Sequence, residues 1–370
     1  MRICILGNAA SIHTVRWANG LGNLGNEVFL LSASPPKVHQ LNPKVQVQIL
    51  RYRPPLGYFL NIRQVRTILK DINPDILNTH YASGYGTLSR FIGFKPTLLS
   101  VWGSDIFDVP YQNPIYRNIV YKNLKAATRL ASTSHVMKRE IEKLFYPAEE
   151  IFVTPFGVDL IKFKPGLKKE DQVITIGIIK RIMDKYGQIY LVKAVKLVVD
   201  RLFNEGYIDI AERIRLLIVG DGPQRKEIER LIQHLGMDSI CTLTGEIEHS
   251  KVPDYLHLID ICCFPSTLAS ESFGVSIIEA SACEIPVIAS NLGGLPEVIK
   301  DGETGYLVRP MDEFDLAEKI YQLVINPELR EKMGVQGRQF VSQHYDWQEN
   351  LQRMEHFMTS VVDDFKQKQS

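Results

Sequence analysis

Short apolar runs recur along this chain, and a longer stretch with helical spacing follows each one. In the first half they are Arg2 to Leu6, Glu27 to Leu31, Asp75 to Thr79 and Thr97 to Val101. In the second half they are Val173 to Ile178, Arg215 to Val219, Ile261 to Phe264 and Val287 to Ser290. Strands that alternate with helices pair in parallel, with the helices covering both faces of the sheet. A chain of 370 residues with 45% hydrophobic content supplies apolar surface for two cores. The expected fold class is therefore α/β, with two parallel, doubly wound sheets. Phe152-Val-Thr-Pro-Phe-Gly-Val-Asp159 interrupts the helical periodicity with Pro and Gly and reads as the junction. This divides the chain into domains at 1–160 and 161–345, and the polar stretch Lys164 to Gln172 is expected at the surface.

The stretch from Pro265 to Glu297 carries the chemistry. The apolar run ends at Pro265, a Ser/Thr-rich loop follows, and Val275 to Cys283 is apolar enough for a buried helix. With a helix start near Gly274, the amides of Phe273, Gly274 and Val275 point with the helix dipole toward an anion. Ser272 belongs to the same loop. That seat suits a phosphate. Glu271 on its rim can accept from sugar hydroxyls, and Glu279, one turn inside, can take the two hydroxyls of a ribose. Carboxylates beside a phosphate make sense when the ligand also offers hydroxyls. The second domain's first strand leads into Lys180-Arg181-Ile182-Met183-Asp184-Lys185, and Arg181 and Lys185 can offset the charge that grows as a nucleoside diphosphate departs. The bland alternative is a helix cap with two surface acids and two solvated cations.

Glu-Ser-Phe-Gly-Val-Ser-Ile-Ile-Glu-Ala from 271, Ile-Pro-Val-Ile-Ala-Ser from 285, Gly-Gly-Leu-Pro-Glu-Val from 293 and Asp-Gly-Glu-Thr-Gly-Tyr-Leu-Val from 301 closely resemble the donor half of the retaining nucleotide-sugar glycosyltransferases of family 4. The resemblance is firm from about 150 to 310 and looser from 1 to 150. It implies a GT-B architecture, two facing Rossmann-like domains with donor on the C-terminal one and acceptor mostly on the N-terminal one. It also implies that the helix at 346–370 crosses back to brace the first domain. Arg181 and Lys185 match the family's arginine and lysine, although Lys185-Tyr186-Gly187 stands where Lys-Gly is usual. Gly222, in the strand-turn-helix sequence Asp221-Gly222-Pro223, is counted with the nucleotide site, its role mainly structural. Ile247 in Gly245-Glu246-Ile247-Glu248 corresponds to the base pocket.

In the first half, Ser11-Ile12-His13-Thr14-Val15-Arg16-Trp17 follows the first strand, with a helix start near Thr14. It lacks G-x-G-x-x-G, which disfavours a dinucleotide, and it resembles the first loop of one branch of family 4. Ser11, His13 and Arg16 become candidate contacts to phosphate or acceptor. The family usually presents a histidine before the glycine at the end of the strand Thr97 to Val101, where this chain has Trp102-Gly103-Ser104-Asp105. His80 and His13, on neighbouring strand ends, are the substitutes. Asp105 either orients an acceptor hydroxyl or caps a helix.

Charge is uneven. Residues 1 to 165 carry 20 Lys+Arg against 10 Asp+Glu, and the remainder 23 against 32, so balances of +10 and −9 combine to the net +1. A basic half suits an anionic membrane surface or a phosphorylated acceptor, and equally an ordinary solvated face. Arg63, Arg66 and Lys70 share a helical face after Tyr58, Phe59 and Leu60, a pattern for headgroups or for a helix packed on the sheet. The five cysteines lack Cys-x-x-Cys spacing and read as reduced core residues, consistent with the cytosol. No secretory h-region and no apolar run of ~18 residues is found, so neither export nor a bilayer span is expected.

The resulting expectation is a retaining, metal-independent hexosyltransferase. It would move a sugar from a UDP or GDP sugar to an acceptor hydroxyl on a sugar, lipid-linked or polysaccharide acceptor. No cofactor beyond the nucleotide sugar, no metal site and no nucleic acid partner are expected, and Asp-x-Asp is absent. The alternatives are a nucleotide-sugar epimerase or hydrolase on the same architecture, or a non-catalytic sugar-nucleotide binding protein.

Overall fold

The computed structural model describes residues 1–36, 41–166 and 173–369. They divide into two compact units, Met1–Phe156 with Gln348–Ser370, and Gly157–Trp347. From residue 167 onward, the linker stretch expected at the surface lies outside the described residues.

In the first unit β1 (Arg2–Leu6), β2 (Glu27–Ser32), β3 (Val45–Ile49), β4 (Ile76–His80), β5 (Thr97–Val101), β6 (Arg129–Ser132) and β7 (Phe152–Val153) form one sheet, ordered β3-β2-β1-β4-β5-β6-β7. In the second, β8 (Ile174–Ile179), β9 (Ile214–Val219), β10 (Cys241–Leu243), β11 (Ile261–Phe264), β12 (Val287–Ser290) and β13 (Gly305–Val308) are ordered β10-β9-β8-β11-β12-β13. Every ladder between these strands is parallel. Each sheet therefore reverses its winding once, between β1 and β4 in the first and between β8 and β11 in the second. At such a reversal the flanking loops run to opposite faces of the sheet, which is where doubly wound sheets take their ligands.

The eight apolar runs are eight of the nine interior strands; the ninth, β6, has four residues and opens on Arg129, and it is not among those runs. Ile3, Ile5, Leu6, Leu30, Leu31, Ile76 and Leu77 are fully buried in the first sheet, as are Ile176, Ile178, Ile218 and Ile261 in the second. Helices cover both faces of each. The helix Trp347–Gln367 closes the first unit: Phe357 stacks on Phe152 at 4.0 Å, and Glu355 accepts from the Asn26 amide at 2.6 Å. The helix after β1 runs Ile12–Asn23, two residues ahead of the expected start, with Ser11 as its N-cap.

Candidate active site

The end of β8 and the loop after β11 build one charged cluster. The Lys180 amide still donates to Val219 O at 3.0 Å, so the strand's hydrogen bonding continues as far as this residue. Its Nζ lies 3.1 Å from Glu271 Oε2, and Lys185 Nζ lies 3.4 Å from Glu271 Oε1. Both ammonium groups stand 4.8 Å from the centre of the Tyr186 ring. Two like charges are thus kept together by a shared carboxylate and a shared ring face. Burial alone would raise the Glu271 carboxyl, but Lys180 and Lys185 outweigh it and hold the group below its ordinary value. Burial would lower Lys180, and Glu271 with Tyr186 holds it above its ordinary value instead. At neutral pH this pair is therefore ionised, a carboxylate against an ammonium.

Backbone packing puts Glu271 there. Gly294 donates its amide to Glu271 O at 2.8 Å. A Cβ at Gly293 would fall 2.4 Å from Glu271 O, and one at Gly294 would fall 2.1 Å from Ser272 O. Only a Gly-Gly pair lets the loop after β12 approach so closely, which gives that part of the motif its physical reason. On the other side Thr267 donates to Lys185 O at 2.9 Å and ties the β11 loop to the β8 loop.

The helix that follows is Val275–Ala282, with Gly274 as a left-handed N-cap (φ +87) that offers no side-chain cap. The amides of Val275 and Ser276 are therefore left uncapped toward an anion, whereas Ile277 already donates to Gly274 O at 3.0 Å. Ser272 and Phe273 are buried, and the Phe273 ring packs edge-on against Tyr345 at 5.4 Å, which leaves its backbone as the part able to face a ligand. Glu279, also buried, lies one turn inside and is held by His249 Nε2 at 2.9 Å. His249 Nδ1 lies 3.1 Å from the Lys162 ammonium. An ammonium only donates, so Nδ1 accepts, and Nε2 carries the proton that reaches Glu279.

Lys180, His249 and Lys162 carry roles that the sequence reading did not give them. Lys180 was readable as the residue ending the β8 run; nothing in the spacing of His249 or Lys162 announces their partnership with Glu279. Arg181 is exposed and outside the ion-pair cluster; its backbone carbonyl accepts from the buried Gln188 amide at 2.9 Å. Gly222 packs against the β8 loop, where a Cβ would meet Ile182 O at 2.0 Å, and Ile247 is half-buried in the loop after β10.

At the strand ends of the first unit the chemistry is different. Trp102, after β5, is ringed by His80 at 4.3 Å, Phe156 at 5.5 Å, Tyr81 at 5.9 Å and His13 at 6.1 Å. The half-buried His13 stacks on Phe156 at 4.1 Å. His80 is sealed, 3.3 Å from both Thr14 Oγ1 and Asn78 Nδ2. Burial, reinforced by His13, pushes its imidazole down to about 3. That is a neutral ring at physiological pH, and no proton donor from the imidazolium form. Asp105 is also fully buried. Its Oδ2 accepts from the Ala82 amide at 2.7 Å, and its Oδ1 from Gly103 and Trp102 at 2.9 and 3.2 Å. Burial raises its carboxyl above the ordinary value and these amides oppose the shift. Rather than presenting a carboxylate to an acceptor, this residue ties the loop after β4 to the loop after β5.

A family profile described as "Glycosyl transferases group 1" matches residues 159–340, and a second, "Glycosyl transferase 4-like", matches residues 2–134. The chain belongs to the group 1 glycosyltransferases. Among its relatives is the N-acetyl-alpha-D-glucosaminyl L-malate synthase of Bacillus anthracis, 26% identical over 94% of this chain and 92% of that one. Sucrose-phosphate synthase from Thermosynechococcus elongatus shares the fold with a TM-score of 0.83 at 20% identity, covering 98% of this chain and all of that one. Anabaena HepE, solved with UDP, does so with a TM-score of 0.81 at 17% identity, over 97% of this chain and all of that one. These likenesses establish a glycosyltransferase of GT-B fold with two parallel-sheet α/β domains.

Proposed function

We propose that this glycosyltransferase takes its sugar from a nucleoside diphosphate sugar, UDP- or GDP-linked, and passes it to an acceptor hydroxyl with retention of anomeric configuration. The observation that carries the reading is the Lys180–Glu271–Lys185 cluster beside the uncapped helix start at Gly274, with Glu279 one turn inside. The first-turn amides and the two ammonium groups receive the diphosphate, with Arg181 on its exposed side. Glu279 takes the ribose hydroxyls, Glu271 the donor sugar, and Ile247 lies along the base.

Two ammonium groups placed on a diphosphate supply the charge compensation that a divalent cation supplies elsewhere, so the reaction proceeds without metal. As the bond to the anomeric carbon breaks, its electron pair passes to the leaving phosphate oxygen. That phosphate takes the proton of the incoming hydroxyl on the same face, and the new glycosidic bond forms there. The enzyme's share is positioning and charge stabilisation. The basic first half fits an acceptor that is lipid-linked or an anionic polysaccharide intermediate, in cell-surface polysaccharide or glycolipid synthesis. Five thiols, none in a disulfide and four of them buried, fit the reducing cytosol.

Thermal-shift titration with UDP, GDP, ADP, CDP and dTDP tests the reading, with magnesium and with EDTA, on the native chain and on Glu279→Ala. Stabilisation by one diphosphate that survives EDTA and is lost in the variant is the expected result. No response to any diphosphate, or a response unaffected by Glu279→Ala, would overturn it.

A further inference from the structure

One edge of the first unit shows solvent a surface that water does not favour. After β3 the chain makes a loop that the side chain of Asn61 locks. This residue is fully buried; its Oδ1 accepts from the Tyr52 amide at 3.0 Å and its Nδ2 donates to Tyr52 O at 2.7 Å. The same closure leaves no room at Gly57, where a Cβ would stand 2.2 Å from Tyr52 O. The loop is thus held in one shape, and in that shape Leu56, Phe59 and Leu60 are 69%, 52% and 53% exposed. Phe91, from the helix Gly84–Ile92, extends the patch, its ring 5.7 Å from Phe59.

Cations border these apolar side chains. Arg51 lies over the Tyr52 ring at 5.4 Å and Arg90 over Phe91 at 4.7 Å, while Arg53 and Arg63 are exposed beside them in sequence. The segment 41–70 contains six Lys or Arg (44, 51, 53, 63, 66 and 70) and no Asp or Glu. Two of the cations predicted to share a helical face differ in use. Arg66 is tied to Phe91 O and Ile92 O at 2.6 and 3.1 Å and caps the neighbouring helix, whereas Arg63 is left to solvent.

We infer that this edge docks on an anionic phospholipid surface, with Leu56, Phe59, Leu60 and Phe91 entering the headgroup boundary and the exposed Arg51, Arg53 and Arg63 meeting lipid phosphates. Apolar side chains within a rim of one sign of charge fit such a surface. A second copy of this chain fits poorly: it would set arginine against arginine. Four side chains also provide far less than the ~800 Å² per partner of a stable protein interface. The inference deepens the proposed function and rests on it for one point only, that the acceptor met at this surface is lipid-linked.

Sedimentation of the full chain with vesicles tests it, using phosphatidylcholine alone and phosphatidylcholine with about one third phosphatidylglycerol. Binding only to the anionic vesicles is expected. Leu56→Ser with Phe59→Ser, and separately Arg51→Glu with Arg53→Glu, should each weaken it about tenfold or more, as should raising salt from ~0.1 to ~0.5 M. Equal binding to both vesicle types, no binding, or variants that bind like the native chain would overturn the inference. So would a native dimer, measured by sedimentation equilibrium, that the Leu56→Ser/Phe59→Ser variant dissolves. The nucleotide thermal shift on the same variants separates the two readings: vesicle binding can fail while the nucleotide response persists, and the reverse.

Discussion

The two sheets have the same strand order through their first six strands, and each reverses its winding between its first and fourth. What they place at that reversal has little in common. The second unit puts two ammonium groups, two carboxylates and an open helix start there. The first puts a buried tryptophan there, with phenylalanine and two imidazoles against it, and its one acid inside the backbone. Topology thus supplies a place for a ligand, and side chains decide the charge it meets. A charged cluster suits a group that gains charge as it leaves; those four rings of the first unit are packed into its strand ends, and of them His13 alone is half-buried.

The comparison is most exposed at Lys180. If the charged cluster stabilises the departing diphosphate, Lys180→Ala should lower kcat by about 10²–10³-fold, with a much smaller change in donor KM. Arg181→Ala, outside the ion-pair cluster, should cost less. Equal losses for the two, or a loss confined to KM, would assign Lys180 to ground-state binding alone. Next in size is Asp105→Ala, which strands the amides of Ala82, Trp102 and Gly103 and should cost about 3 kcal/mol in urea unfolding. A variant as stable as the native chain but inactive would return Asp105 to a catalytic role. Smaller again, Glu279→Ala should weaken the preferred nucleoside diphosphate by about 2 kcal/mol in calorimetry, near thirtyfold, through lost hydrogen bonds to a charged group.

Most of the fold was legible because central strands of a parallel sheet are buried on both faces and read as unbroken apolar runs. β3, Val-Gln-Val-Gln-Ile, is an edge strand with three exposed residues and alternates instead. β7 and β10, also at edges, have two and three residues, too few for a pattern. In the site, the open helix start at Gly274 was readable from one continuous segment, because Gly-Val-Ser follows a polar loop. The Glu279–His249–Lys162 chain was not, since its members come from three loops and helices separated by 30 and 87 residues. The family resemblance points to Arg181, which matches the family's arginine, and not to Lys180. Side-chain direction, which the sequence does not display, selected the lysine for the cluster. The burial of His80 and Asp105 was not legible for a related reason: a strand end in a doubly wound sheet can point its side chain inward.

The smallest effect concerns that inward histidine. The folded chain keeps His80 neutral down to about pH 3, whereas the unfolded chain protonates it near the ordinary 6.5. Below 6.5 the unfolded state therefore binds a proton that the native state refuses. Unfolding free energy should fall as pH drops through that window, with this group contributing about 1.4 kcal/mol per pH unit. Above 6.5 neither state carries the proton and the contribution is flat. His80→Gln, which keeps polar atoms near Thr14 and Asn78, removes this titration, so its urea midpoint should depend less steeply on pH between ~6.5 and ~5. Parallel pH profiles for the two chains would mean that the folded ring does take up the proton. His80 would then rejoin the groups able to donate to an acceptor, and the contrast between a charged and a neutral strand-end site would lose its firmest physical support.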